Sequence, residues 1–202
     1  MKKIAIFGGS FNPITKGHLH VVKTLRQALP DFEIWISPTY ESTLNKTMIH
    51  PIHRYKMCKL AMERFPDVKV YDYEIHHQIS SGTLDFYKAL KTDPLYQDND
   101  YYFVIGMDQA NNIMSWRNPL VLINAVKFII LPREGVKEQR DSWYKNDRHI
   151  FIEKDDQRKR SSTNVRENLK KFYIDESCQA DLKRDLTSEV LKYIIKNRLY
   201  ES

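Results

Sequence analysis

Lys3-Ile4-Ala5-Ile6-Phe7-Gly8-Gly9-Ser10-Phe11-Asn12-Pro13-Ile14-Thr15-Lys16-Gly17-His18, continuing through Val22, Leu25 and Leu29 to Pro30, is the stretch that decides the fold. Lys3 to Phe7 predicts a buried strand. Gly8 to Gly17, rich in Gly, Ser, Asn and Pro, predicts a loop. From His18 onward, Val22, Leu25 and Leu29 recur at helical spacing until Pro30 stops the run. Strand, glycine loop and helix in that order form the first unit of a parallel α/β sheet, which binds ligands at the carboxyl ends of its strands. Adjacent glycines let backbone amides approach an anion closely. A helix start adds free amide donors and partial positive charge. The loop is therefore a candidate phosphate site, with His18 in the first helical turn facing the same anion. A glycine turn with a satisfied core histidine accounts for the same residues without a ligand. The loop matches neither a Walker A sequence nor G-x-G-x-x-G.

Outward from this unit the alternation continues. Strands are predicted over Glu33 to Ser37, Val68 to Tyr73, Tyr101 to Ile105 and Val126 to Leu131. Helices are predicted from Pro51 to about Arg64, over Thr83 to Leu90, Asn164 to Phe172 and Ser188 to Asn197. Pro38–His50, Gly135–His149 and Asp175–Asp185 read as the most loop-like interior stretches. The expected fold is α/β, a Rossmann-like doubly wound parallel sheet with a small C-terminal helical part at about 161–202, all in one domain spanning 1–202.

Composition narrows the class further. The 202 residues are 42% hydrophobic and 29% charged, as in an ordinary soluble globular protein. Lys and Arg number 32 against 26 Asp and Glu, a net charge of +6. That balance suits nucleotides, phosphates or nucleic acid without choosing among them. Cys58 and Cys178 match no metal or redox spacing and read as reduced thiols. The apolar run Ile4 to Phe7 is too short for a signal peptide or a membrane span, so a soluble, cytoplasmic protein without membrane contact is expected. His20, His50, His76, His77 and His149 form no convincing ligand set, so no protein-bound metal is expected.

The ordered set of motifs resembles the nucleotidylyltransferase superfamily in its T/H-x-G-H form, and within it the nicotinate/nicotinamide mononucleotide adenylyltransferases. The first loop carries the signature, with Thr15-Lys16-Gly17-His18 at its end. His53-Arg54 with Met57, Leu60 and Ala61 is similar to the family's H-R-x-x-M-x-x-L-A helix. Ser81-Gly82-Thr83-Leu84-Asp85 resembles its S-Y-T-x-D segment, with Gly82 in place of the tyrosine. Phe103 to Asp108 resembles its strand ending in I-G-x-D, and Trp116 stands where the family has a loop tryptophan. Ser161-Ser162-Thr163-Asn164-Val165-Arg166 is close to S-S-T-x-x-R, and Leu199-Tyr200-Glu201-Ser202 resembles the family's tail.

The resemblance implies attack by a mononucleotide phosphate on the α-phosphorus of ATP. That nucleophile is already anionic, so catalysis reduces to alignment and charge stabilisation. By this analogy His18, Thr15 and Arg166 are catalytic, although Thr15 supplies only a hydroxyl where histidine is common. Gly8, Gly9, Ser10, Phe11, Gly17, His18, Ser161, Ser162, Thr163 and Arg166 are expected to bind ATP. Ser161 to Thr163 also read as simple helix capping. Ser10, Asn12, Lys46, Thr83, Gly106, Asp108, Trp116, Arg117 and Arg133 are expected on the mononucleotide. In this reading Asp108 meets a ribose hydroxyl, Trp116 stacks on the pyridine ring, and Arg117 and Thr83 favour a carboxylate. Lys46 and Arg54 are weaker candidates for phosphate steering, and Lys16 points to phosphate or to solvent. Mg²⁺ is expected to arrive with ATP, held by phosphates and water. The expected partners are ATP and a pyridine mononucleotide, not nucleic acid, and a homo-oligomer is allowed. The nicotinate form is the expected substrate, with the nicotinamide form as the alternative, because Ser10 to Thr15 also resembles forms that accept it. A phosphopantetheine adenylyltransferase shares the first and last motifs but lacks the I-G-x-D, Trp116 and tail features. A non-catalytic nucleotide- or RNA-binding protein suits the charge but has less need of the full set His18, Ser162, Thr163 and Arg166.

Overall fold

The computed structural model describes residues 1–41, 47–80, 82–139, 142–153 and 161–201. In chain order its elements begin with β1 (Lys3–Gly9), α1 (Lys16–Ala28), β2 (Glu33–Pro38), α2 (Pro51–Met62) and β3 (Val68–Val70). There follow α3 (Tyr73–His76), α4 (Thr83–Thr92), β4 (Asp100–Gly106), α5 (Met107–Asn111) and α6 (Pro119–Ala125). The chain then forms β5 (Lys127–Leu131), β6 (Ile150–Phe151), α7 (Ser162–Asp175), α8 (Gln179–Asp185) and α9 (Ser188–Lys196). The six strands form one sheet in the order β3-β2-β1-β4-β5-β6. Every neighbouring pair is parallel.

Period-2 alternation splits the sheet between two cores. Ala5, Ile34, Ile36, Val104 and Ile129 face the side covered by α1, α2, α7, α8 and α9, whose Val22, Leu25, Met57, Leu169, Leu182 and Ile194 pack there. Ile4, Ile6, Trp35, Tyr101, Phe103 and Phe128 face the other side, against Leu84, Phe86, Leu90, Ala110 and Leu122 of α4, α5 and α6. The strand order reverses at β1 and β4. At that point loops diverge to opposite faces and open a crevice at the carboxyl ends of the strands.

The structure departs from the expected elements where segments are short. The strand expected over Val68 to Tyr73 stops at Val70, and Tyr73 opens the four-residue α3. The loop expected over Asp175–Asp185 contains α8, a seven-residue helix that buries Leu182 and Asp185. Two inward residues in two turns leave no readable period. Within Gly135–His149 a 3-10 turn forms at Trp143–Lys145. Helix α7 begins earlier than expected, because Ser161 caps it by accepting from the Thr163 amide at 3.2 Å.

Candidate active site

The loop between β1 and α1 is shaped by one aromatic ring. Phe11 is wholly buried with a left-handed φ of 42°. A Cβ on Gly9 would lie 3.2 Å from the Phe11 ring, so glycine at this position lets the ring fold back under the loop. The same ring meets His18 edge-on, with centroids 5.1 Å apart. The loop's apolar residue thus seats its imidazole.

His18 is the third residue of α1, and Thr15 is the N-cap. The Thr15 amide donates to His18 Nδ1 at 2.9 Å, and Thr15 Oγ1 lies 3.0 Å from the same nitrogen. An imidazole here takes the part that Glu or Gln plays in a capping box. A nitrogen that accepts a backbone N–H carries no proton, so the hydrogen of the neutral ring resides on Nε2. Burial, followed by the positive charge of Arg133, pushes the His18 pKa down to about 4. His18 is therefore a neutral donor throughout the physiological range.

His18 lines a cavity of about 190 Å³ together with Gly17, Gly106, Leu131, Arg133 and Glu134. It lies between the ends of β1, β4 and β5, at the crevice described above. Across it, Arg133 Nη1 donates to Asp108 Oδ2 at 2.7 Å, while the buried Asp108 Oδ1 has no hydrogen-bond partner among the described residues. A Cβ on Gly106 would stand 2.7 Å from that Oδ1, so the carboxylate rests where a side chain would be. The structure therefore groups Gly106, Asp108 and Arg133 with His18, although the motif reading placed them with the mononucleotide.

The start of α7 closes the site from a remote part of the chain. Ser162 Oγ donates to the Pro13 carbonyl at 2.9 Å, and Arg166 Nη1 to the Asn12 carbonyl at 2.7 Å. Arg166 Nη2 also donates to Thr163 Oγ1 at 3.2 Å. Two motifs about 150 residues apart are thus hydrogen-bonded to each other. The third group lies at the start of α4, where Arg117 Nη1 is 3.7 Å from Asp85, two residues after Thr83. Arg117 is 73% exposed, and the half-buried Trp116 packs against the second core.

Several expected roles are corrected. Asn12 does not offer its side chain to a ligand: it is 4% exposed, and its Oδ1 accepts from the Tyr200 hydroxyl at 2.9 Å. Arg54 steers no phosphate from the surface. It is completely buried and donates to the carbonyls of Ile49, Ser10 and Tyr40 at 3.1, 2.9 and 2.8 Å. Lys16 points to neither phosphate nor open solvent, but donates to the Lys183 carbonyl at 2.8 Å near the end of α8. Lys46, Ser81, Arg160 and Ser202 lie outside the described residues. One group the motif reading passed over also belongs here, since Glu134 lines the cavity. The buried Glu74 accepts from Ser37 Oγ at 2.9 Å, its pKa pushed up to about 7 by burial, and is not among the cavity's lining residues. Among the described residues, no three His, Cys, Asp or Glu side chains converge as a metal-binding set. No described helix is long and apolar enough to cross a membrane.

Comparison with known proteins follows the same lines. Residues 6–168 match the family model described as cytidylyltransferase-like. The chain is 34% identical over 171 residues to a Fusobacterium nucleatum protein named "Probable nicotinate-nucleotide adenylyltransferase", spanning 83% of this chain and 88% of that one. A protein of the same name from Endomicrobium trichonymphae is 30% identical over the full length of both. Among solved structures, Plasmodium falciparum nicotinic acid mononucleotide adenylyltransferase complexed with NaAD superposes with a TM-score of 0.78 at 27% identity, covering 100% of this chain and 98% of that one.

Proposed function

Since this chain belongs to the cytidylyltransferase-like family, and within it to the nicotinate-nucleotide adenylyltransferases, we infer that it transfers the adenylyl group of ATP to nicotinate mononucleotide. The products are deamido-NAD and pyrophosphate. The observation that carries this reading is the joining of the His18 loop to the α7 start through the Arg166–Asn12 and Ser162–Pro13 bonds.

In the reaction a mononucleotide phosphate oxygen bonds to the α-phosphorus, and the bond to the β-phosphate bridging oxygen breaks. Pyrophosphate leaves with that electron pair. No proton has to be removed from the nucleophile, which agrees with a site built of donors and cations. The Nε2–H of His18 is suited to a non-bridging oxygen of the α-phosphate as charge gathers there. Being neutral, it donates without holding the ground-state anion as a cation would. The partial positive charge at the start of α1 acts in the same direction. Ser162, Thr163 and Arg166 are suited to the leaving phosphates. The Asp108 carboxylate is suited to a ribose hydroxyl, on the ATP side of the crevice by its ion pair with Arg133, which lines the cavity with His18. Thr83, Trp116 and Arg117 are left for the pyridine end. Mg²⁺ enters as part of the ATP substrate. A cytoplasmic location fits these substrates.

Pyrophosphate release, measured with ATP and each mononucleotide in parallel, tests the reading. Release with the nicotinate form, exceeding that with the nicotinamide form, is the expected result. No release with either would overturn it.

A further inference from the structure

We propose that Tyr200, in the tail after α9, is a positioning residue for the transfer reaction and acts through Asn12. The inference rests on the adenylyl-transfer reading of the site. Carbonyls on three residues of the phosphate loop are each held by a side chain from elsewhere: Ser10 by Arg54, Asn12 by Arg166, and Pro13 by Ser162. The Asn12 side chain is held separately, its Oδ1 accepting from the Tyr200 hydroxyl at 2.9 Å and from the Ile49 amide at 3.4 Å. Both partners of the tyrosine bond are out of water, Asn12 being 4% and Tyr200 8% exposed. A buried bond of this kind has no solvent competitor.

Asn12 is the joint between the two halves of the site. On one side is Phe11, whose ring seats His18. On the other is Pro13, whose carbonyl carries Ser162. Any shift of Asn12 changes the relation between His18 and the α7 start, and small misplacements of aligned groups are costly to rate. The tail adopts an unfavourable backbone to reach this point. Tyr200 has φ 66°, in the left-handed region that side chains other than glycine's avoid. The tail also has a second anchor that does not touch the loop. The Tyr173 hydroxyl lies 3.2 Å from the carbonyls of Ile194 and of Leu199. Tyr200 and Tyr173 therefore separate alignment of the loop from attachment of the tail.

Tyr200→Phe keeps the ring and removes only the hydroxyl. The expected result is a kcat lowered by about 3- to 10-fold, the scale of one neutral hydrogen bond. KM for both substrates should change by less than about twofold, because alignment is lost and not ground-state binding. Tyr173→Phe should lower the urea midpoint and leave kcat alone. Asn12→Ala should lower kcat, and adding Tyr200→Phe to it should lower kcat no further, since the bond to Tyr200 is already lost with the Asn12 side chain, together with those to Ile49 and Thr47. Wild-type kcat in Tyr200→Phe, full additivity in the double variant, or parallel loss of kcat and stability in both tyrosine variants would overturn the proposal. Pyrophosphate release by the unaltered chain tests the underlying reading separately.

Discussion

Replacing His18 by Gln tests the neutral-donor assignment without dismantling the helix cap. Glutamine at the third helical position can still accept the Thr15 amide, as in an ordinary capping box. It removes the titration, together with the ring that meets Phe11. In the folded protein the His18 pKa stands at about 4, against about 6.5 for a free imidazole. Between these values the unfolded chain binds a proton that the native state refuses, so stability rises with pH. The histidine's contribution is fully present above about pH 6.5 and is lost as pH falls toward 4. Worked through the linkage relation, wild type should lose about 2 kcal/mol from this residue between pH 8 and pH 5, and about 3 kcal/mol by pH 4. Taking the difference between wild type and His18→Gln cancels the other groups, among them His149, which burial also holds at about 4. Urea unfolding of both proteins at pH 5, 6.5 and 8 provides the measurement. A difference that grows by about 2 kcal/mol from pH 5 to 8 is expected. A flat difference, or an His18 ring resonance titrating near 6.5, would refute the low pKa.

Other substitutions probe the remaining parts. Gly106→Ala would place a Cβ 2.7 Å from Asp108 Oδ1 and must displace that carboxylate from Arg133, so steady-state kinetics should show KM for ATP raised by about 10-fold, the scale of one charge-assisted bond. Arg54→Met leaves three part-buried carbonyls without their donor and should cost about 3 kcal/mol in urea unfolding, and Arg54→Lys should fare little better because an ammonium cannot span the same fork. Arg117→Ala should reduce the preference for nicotinate over nicotinamide mononucleotide by about 10-fold in kcat/KM, whereas an unchanged ratio would move discrimination to backbone amides. Arg166→Ala should weaken ATP more than the mononucleotide in titration calorimetry, and equal weakening would reassign it to the Asn12 and Thr163 bonds alone.

What the sequence determined by itself is local. Lys3 to Phe7 announces a strand and Val22, Leu25 and Leu29 announce a helix, because side chains report the 2- and 3.6-residue periods of the backbone they ride on. The glycines, Asn12 and Pro13 mark the turn between them, and so a helix start near His18 follows from the sequence. The alternation of units similarly implied a parallel sheet. Helices α3, α5, α6 and α8, four to seven residues each, were not legible, since so few turns carry no period. The roles decided by distance were not legible either. Nothing near Arg54 in the chain indicates that its charge would be buried, because only the folded loop brings three carbonyls to meet it. Asn12 reads as a ligand contact until Tyr200, 188 residues away, takes its oxygen. The regrouping of Asp108 and Arg133 with His18 depends on β4 and β5 lying beside β1, an order set by tertiary packing. Periodicity and turn chemistry act between near neighbours. Which carbonyl meets which guanidinium depends on how two faces of a sheet bury their side chains, and that is decided only when the whole chain has packed.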